Sequence, residues 1–75
     1  MYTLVNYNEQ EDKTTKEFFD TYDEAFERLG YIVRNYAVTY DIPKIEIEDY
    51  YNNRAYKAMF WSESYFEVKI IEDKI

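Results

Sequence analysis

The chain has 75 residues, half the usual length of a domain, and its 9 basic against 16 acidic residues leave a net charge of −7. Cysteine and histidine are both absent, which excludes thiol nucleophiles, Ser-His-Asp and Cys-His catalysis, disulfide frameworks and nearly all zinc or haem sites. The only glycine is Gly30, so phosphate-cradling loops and the EF-hand turn are missing as well, and no cofactor or metal is expected.

The apolar class reaches 47%, but it includes ten tyrosines, so tyrosine must supply much of the packed area. Met1-Tyr2-Thr3-Leu4-Val5-Asn6 has neither the basic region nor the apolar run of a signal peptide, and no stretch approaches the length of a membrane span. Net negative charge repels nucleic acid and anionic lipid, so neither direct nucleic-acid binding nor membrane association is expected. A basic protein surface is the partner this charge favours. The absence of cysteine does not fix the compartment but is compatible with a reducing cytosol.

Residues 2–8 carry strand formers, residues 8–13 are polar, and residues 14–19 return to a strand-like composition, which predicts an N-terminal hairpin within residues 1–20. Thr21-Tyr22-Asp23-Glu24 has the form of a capping box: the Thr21 hydroxyl can accept from the Glu24 N–H while the Glu24 side chain reaches back to the Thr21 N–H. The periodicity predicts a helix over residues 21–41. At roughly 100° per residue, Tyr22, Ala25, Phe26, Leu29, Ile32, Val33, Tyr36, Ala37 and Tyr40 fall within an arc of about 140°. Asp41-Ile42-Pro43 ends the helix, because proline disfavours helix in the residue before it. Tyr31 and Val38 lie on the opposite, solvent side as a candidate contact stripe.

Residues 44–72 read as a three-strand meander. Lys44-Ile45-Glu46-Ile47-Glu48 alternates cleanly, and Asn52-Asn53 suits a two-residue turn. That turn sets Tyr51 opposite Arg54, Asp49 opposite Tyr56, Ile47 opposite Ala58 and Ile45 opposite Phe60. On the other face Glu48 meets Lys57, Glu46 meets Met59 and Lys44 meets Trp61. A three-residue connection at Ser62-Glu63-Ser64 keeps Phe66, Val68 and Ile70 on the core face, whereas a two-residue one would turn them outward.

The expected architecture is a single α+β domain over residues 1–75, in the order strand-strand-helix-strand-strand-strand. One helix packs on a mostly antiparallel sheet in two layers. The placement of the N-terminal hairpin, beside the meander or over its outer face, stays open. In this register Trp61, Met59, Tyr65 and Tyr50 share the uncovered face with Glu46, Glu48, Glu67, Lys57 and Lys69, an aromatic and acidic surface. Glu67-Val68-Lys69 also has the E-x-K form of metal-dependent nucleases, with Asp49 as a conceivable upstream acid. That form is common in charged strands, and a chain of this charge lacks the basic surface to hold a nucleic-acid substrate. Glu46 and Glu48 could be paired as an acid–base dyad, but a domain this small has little room for a sugar cleft.

In length, acidity, lack of cysteine and its aromatic–acidic surface, the chain resembles the small acidic inhibitor proteins of bacteriophages and mobile elements, of the anti-CRISPR and anti-restriction DNA-mimic kinds. The resemblance implies a non-enzymatic protein that occupies a basic nucleic-acid-binding site on a host CRISPR or restriction nuclease, in the cytoplasm of a bacterial host. The residues expected to contact that partner are Glu46, Glu48, Trp61, Tyr65 and Glu67 on the sheet, then Glu27, Tyr31 and Asn35 on the helix. The alternative is a homo-oligomeric structural or accessory phage protein, a homodimer in its simplest form, that buries Trp61, Met59, Tyr65 and Ile71 against a second copy.

Overall fold

The chain turns back on itself through residues 9–12, which join strand β1 (Tyr2–Asn8) to strand β2 (Lys13–Phe19). Two local bonds close this turn. The Asn8 side chain accepts from the Glu11 N–H at 3.2 Å, and the Glu9 carbonyl accepts from the Asp12 N–H at 3.1 Å. Asp12 takes a left-handed φ of 49°, which a short polar side chain tolerates better than a branched one. This is a computed structural model that describes residues 1–42, 45–50, 55–61 and 64–73, with residues 48–50 and 55 described by their backbone alone.

Helix α1 (Tyr22–Thr39) begins where the capping signal predicts. The Thr21 Oγ1 accepts from the Glu24 N–H at 3.3 Å. The Glu24 carboxylate accepts from the Thr21 hydroxyl at 2.8 Å, where the sequence pattern points to the Thr21 N–H. The helix stops at Thr39, two residues short of the expected end, through a Schellman-type closure. Ile42 N–H donates to the Ala37 carbonyl at 3.2 Å while Asp41 sits at a φ of 51°. The left-handed Asp41 therefore ends the helix; Pro43 lies outside the described residues.

Strands β3 (Glu46–Tyr50), β4 (Ala55–Trp61) and β5 (Tyr65–Glu72) form the meander, and every pairing in the sheet is antiparallel. The expected register holds where it is described: Glu46 faces Met59, Ile47 faces Ala58, Glu48 faces Lys57 and Asp49 faces Tyr56. Phe60 faces Phe66 and Trp61 faces Tyr65, which leaves three residues between β4 and β5. The Asn52-Asn53 turn and the pairs that involve Lys44, Tyr51 and Arg54 lie outside the described residues.

The hairpin sits beside the meander. β1 pairs with β5, from Tyr2 opposite Glu72 to Asn8 opposite Phe66, giving one five-stranded sheet in the order β2-β1-β5-β4-β3. The reason lies in β5, whose Phe66, Val68 and Ile70 are each fully buried and whose backbone needs a partner on both sides. The Asp73 N–H, bonded to the Met1 carbonyl at 2.9 Å, extends that ladder.

Ala25, Leu29, Ile32 and Val33 of α1 pack with Ile42 on Leu4, Ala58, Phe60, Phe66, Val68 and Ile70. Phe60 and Phe66 stack at 5.3 Å with ring planes 9° apart. Tyrosine carries much of the remaining packing. Tyr22 stands 4.9 Å from the Tyr56 ring, Tyr40 4.8 Å from Phe66, and the Tyr36 hydroxyl donates to Asn6 Oδ1 at 3.1 Å. Ile47, on the core-facing side of β3 by register, is 59% exposed because the helix lies mainly over β5, β1 and β2 and leaves the β3 edge uncovered.

Candidate binding surface

Alternation along each strand puts one set of side chains under the helix and the other on an open face. With β1 beside β5, that open face is wider than the meander alone, and its residues fall into rows across the sheet. One row crosses Lys16, Val5, Lys69 and Lys57 to the position of Glu48. The next crosses Thr14, Tyr7, Glu67, Met59 and Glu46. Tyr65 and Trp61 close one end, their rings 4.9 Å apart, with Tyr7 6.3 Å from Tyr65. Phe18, Thr3 and Ile71 lie in register near the other end, where Phe18 is 64% exposed.

The structure brings Trp61, Tyr65, Glu67 and Glu46 together on this face, with Glu48 at the adjoining register position. Trp61 is 67% exposed, whereas the Tyr65 beside it is half-buried. Glu67 is different. Its side chain is only 18% exposed and sits between Lys57 Nζ at 3.3 Å and Lys69 Nζ at 3.7 Å, while the Tyr65 hydroxyl donates to it. Burial pushes the Glu67 carboxyl up, but the Tyr65 hydrogen bond and the two ammonium charges outweigh it and hold the group below the usual carboxylate range. Glu67 is therefore a neutralised anchor of the sheet face.

The electrostatic character of this face also differs from the acidic surface expected. Lys16, Lys57 and Lys69 stand against Glu46, Glu67 and the Glu48 position, so the face as a whole is balanced. Its charge is unevenly placed: Lys16 belongs to the β2 edge, whereas Glu46 and Glu48 belong to the β3 edge. Lys16, Tyr7 and Phe18 were beyond sequence reasoning, because their membership of this face depends on the β1–β5 pairing.

Glu27, Tyr31 and Asn35 lie on the opposite side of the molecule, exposed on the outer surface of α1 with Glu24 and Val38. Val38 is 84% exposed and Tyr31 52%, as the solvent-side stripe predicts. Arg28 organises this surface. Its Nε lies 3.1 and 3.2 Å from the two carboxylate oxygens of Glu17, and its guanidinium stands 5.1 Å from the centre of the Tyr31 ring. Glu24, Glu27, Arg28 and Tyr31 line a shallow groove here. The helix start adds Asp23, and Asp20 immediately precedes it. The residues expected to bind a partner thus form two surfaces separated by the thickness of the domain.

Glu67 and Lys69 share one face, as the E-x-K spacing requires, but the carboxylate is already ion-paired to two lysines. No cluster of three metal-ligating side chains occurs among the described residues, and no helix among them is long and apolar enough to cross a membrane. Comparison with protein-family models, with curated proteins and with solved structures finds no match.

Proposed function

We propose that this chain is a non-enzymatic protein-binding inhibitor of the anti-CRISPR or anti-restriction kind, which occupies a basic nucleic-acid-binding surface of a host nuclease. The observation that carries the reading is the segregation of charge. The sheet face is balanced while the chain as a whole is −7, so the excess acid lies on the rest of the surface. Asp20, Asp23, Glu24 and Glu27 gather around the start of α1, beside the rigid ring of Tyr31. Carboxylates spaced over a small rigid domain compete with phosphates for Lys and Arg sites, because they release the same counterion free energy on contact. Tyr31 adds contact area at low entropic cost, its ring already oriented by Arg28. In this reading Glu27 and Tyr31 lead the contact, with Asn35 at its margin.

The test is cleavage of a DNA substrate by RNA-guided and restriction nucleases, with and without the protein, across a salt series. Inhibition that fades as salt rises, and that Glu24→Lys combined with Glu27→Lys abolishes, supports the reading. Unimpaired cleavage across the panel, or inhibition by binding the DNA itself, overturns it.

A further inference from the structure

The open sheet face carries opposite charges at its two edges, and that arrangement is self-complementary. We infer that this face is the two-fold interface of a homodimer, formed by two sheets packed face to face with the symmetry axis parallel to the strands. Rotation about such an axis lays the β2 edge of one copy over the β3 edge of the other and keeps each row over its own counterpart. Lys16 then falls over the Glu48 position of the second copy, with Glu46 one row away, and this contact occurs twice.

The other in-plane axis, across the strands, stacks β2 on β2 and β3 on β3. It reverses the rows, so that Lys16 meets Lys16 or Thr14 of the second copy with no carboxylate opposite, while the Glu46 and Glu48 positions of the two copies meet one another, which is repulsive. Both axes keep the strands of the two sheets aligned, as face-to-face packing of twisted sheets favours, so charge selects between them. Between the edges the selected rotation sets Tyr7 over Met59 and brings the half-buried Tyr65 rings of the two copies together near the axis. Because β5 is the middle strand, Glu67 and Lys69 each lie over their own counterparts near the axis, and the ion pairs of Glu67 with Lys57 and Lys69 within each copy offset that like-charge contact.

The dimensions agree. Five strands about 4.8 Å apart and about seven residues long give a face of about 20 by 23 Å, so two copies cover roughly 900 Å² in projection before side-chain relief is counted. That is close to the roughly 1,000 Å² a specific interface requires. Such a dimer would leave both α1 surfaces pointing outward. The inference stands apart from the proposed function: a dimer that inhibits no nuclease retires that reading and keeps this one, and a monomeric inhibitor does the reverse.

The experiment is sedimentation equilibrium of the full chain over a concentration series, run on the natural sequence, on Lys16→Glu, on Glu48→Lys and on an equimolar mixture of the two variants, with Trp61 fluorescence followed alongside. The natural chain is expected to reach twice the chain mass with a blue shift of Trp61. Each variant is expected to dimerise at least about tenfold more weakly, since both symmetric contacts become repulsive at once. The mixture is expected to regain the dimer, because the carboxylate introduced by Lys16→Glu then meets the ammonium introduced by Glu48→Lys. Should circular dichroism show Glu48→Lys to be unfolded, Glu46→Lys takes its place. A natural chain that stays monomeric, a dimer indifferent to both reversals, or a mixture no tighter than its components overturns the inference.

Discussion

The two faces of the sheet are built from the same strands, yet they obey different rules. Under the helix, Phe66, Val68, Ile70 and Ala58 are fully buried and pack against aliphatic side chains and rings. On the open face aromatic rings alternate with lysines and glutamates, and Trp61 and Phe18 stay largely exposed. The covered face gains its free energy from apolar area removed from water, which scales with size and is insensitive to sign. The open face is organised by charge: Glu67 binds both Lys57 and Lys69, linking neighbouring strands through a carboxylate. A small domain can thus fold on one face and reserve the other, with tyrosines bridging the shortage of aliphatic residues.

The contrast breaks most readily at the core. Phe66→Ala removes a fully buried ring stacked on Phe60, and a loss of about 3–5 kcal/mol is expected by urea denaturation, enough to unfold much of the chain. Trp61→Ala combined with Tyr65→Ala on the open face removes one exposed ring, one half-buried ring and the hydroxyl that donates to Glu67, and is expected to cost the single chain only about 1–2 kcal/mol. A comparable loss in the two experiments would erase the distinction between the faces.

Glu67→Gln sharpens the electrostatic side. It removes the charge that two lysines share, with an expected cost of about 1 kcal/mol at neutral pH. Because folding lowers the pKa of Glu67 below 4.5, its contribution is fully present above that value and is lost as pH falls through the folded pKa. Acid titration of stability should accordingly be shallower in Glu67→Gln than in the natural chain. An identical acid limb would mean that the lysines do not hold the carboxylate.

The smallest expected effects are gains. Asp41→Gly relieves a left-handed φ of 51° and removes a negative charge from the helix C-terminus, for about 0.5–1 kcal/mol of added stability. Gly30→Ala should give a similar gain, since the added Cβ would meet only the flexible end of Arg34 at 3.3 Å. Thermal unfolding measures both, and a lowered midpoint for Asp41→Gly would show that the aspartate has a local partner in the closure.

Local rules made much of this molecule legible. Thr21-Tyr22-Asp23-Glu24 marked the helix start because capping involves atoms only three residues apart. The stripe of Ala25, Leu29, Ile32 and Val33 marked its buried side, and the period of two in Phe66, Val68 and Ile70 fixed the length of the connection before β5. The α+β class and the element order follow from those signals. The helix end was less readable: a non-glycine residue in the left-handed region leaves no compositional mark, so Asp41 was outweighed by the proline beyond it.

What only the tertiary structure decided is the neighbour of β5. The pairing of Tyr2–Asn8 with Tyr65–Glu72 joins residues about sixty to seventy positions apart, and no local pattern specifies which edge a hairpin will choose. That one choice brought Lys16, Tyr7 and Phe18 onto the open face and turned an expected acidic patch into a balanced one with opposite edges. Sequence determined which side of each strand is apolar, because alternation is a property of the single strand. The charge that a whole face presents is a sum over strands, and it exists only once they are paired.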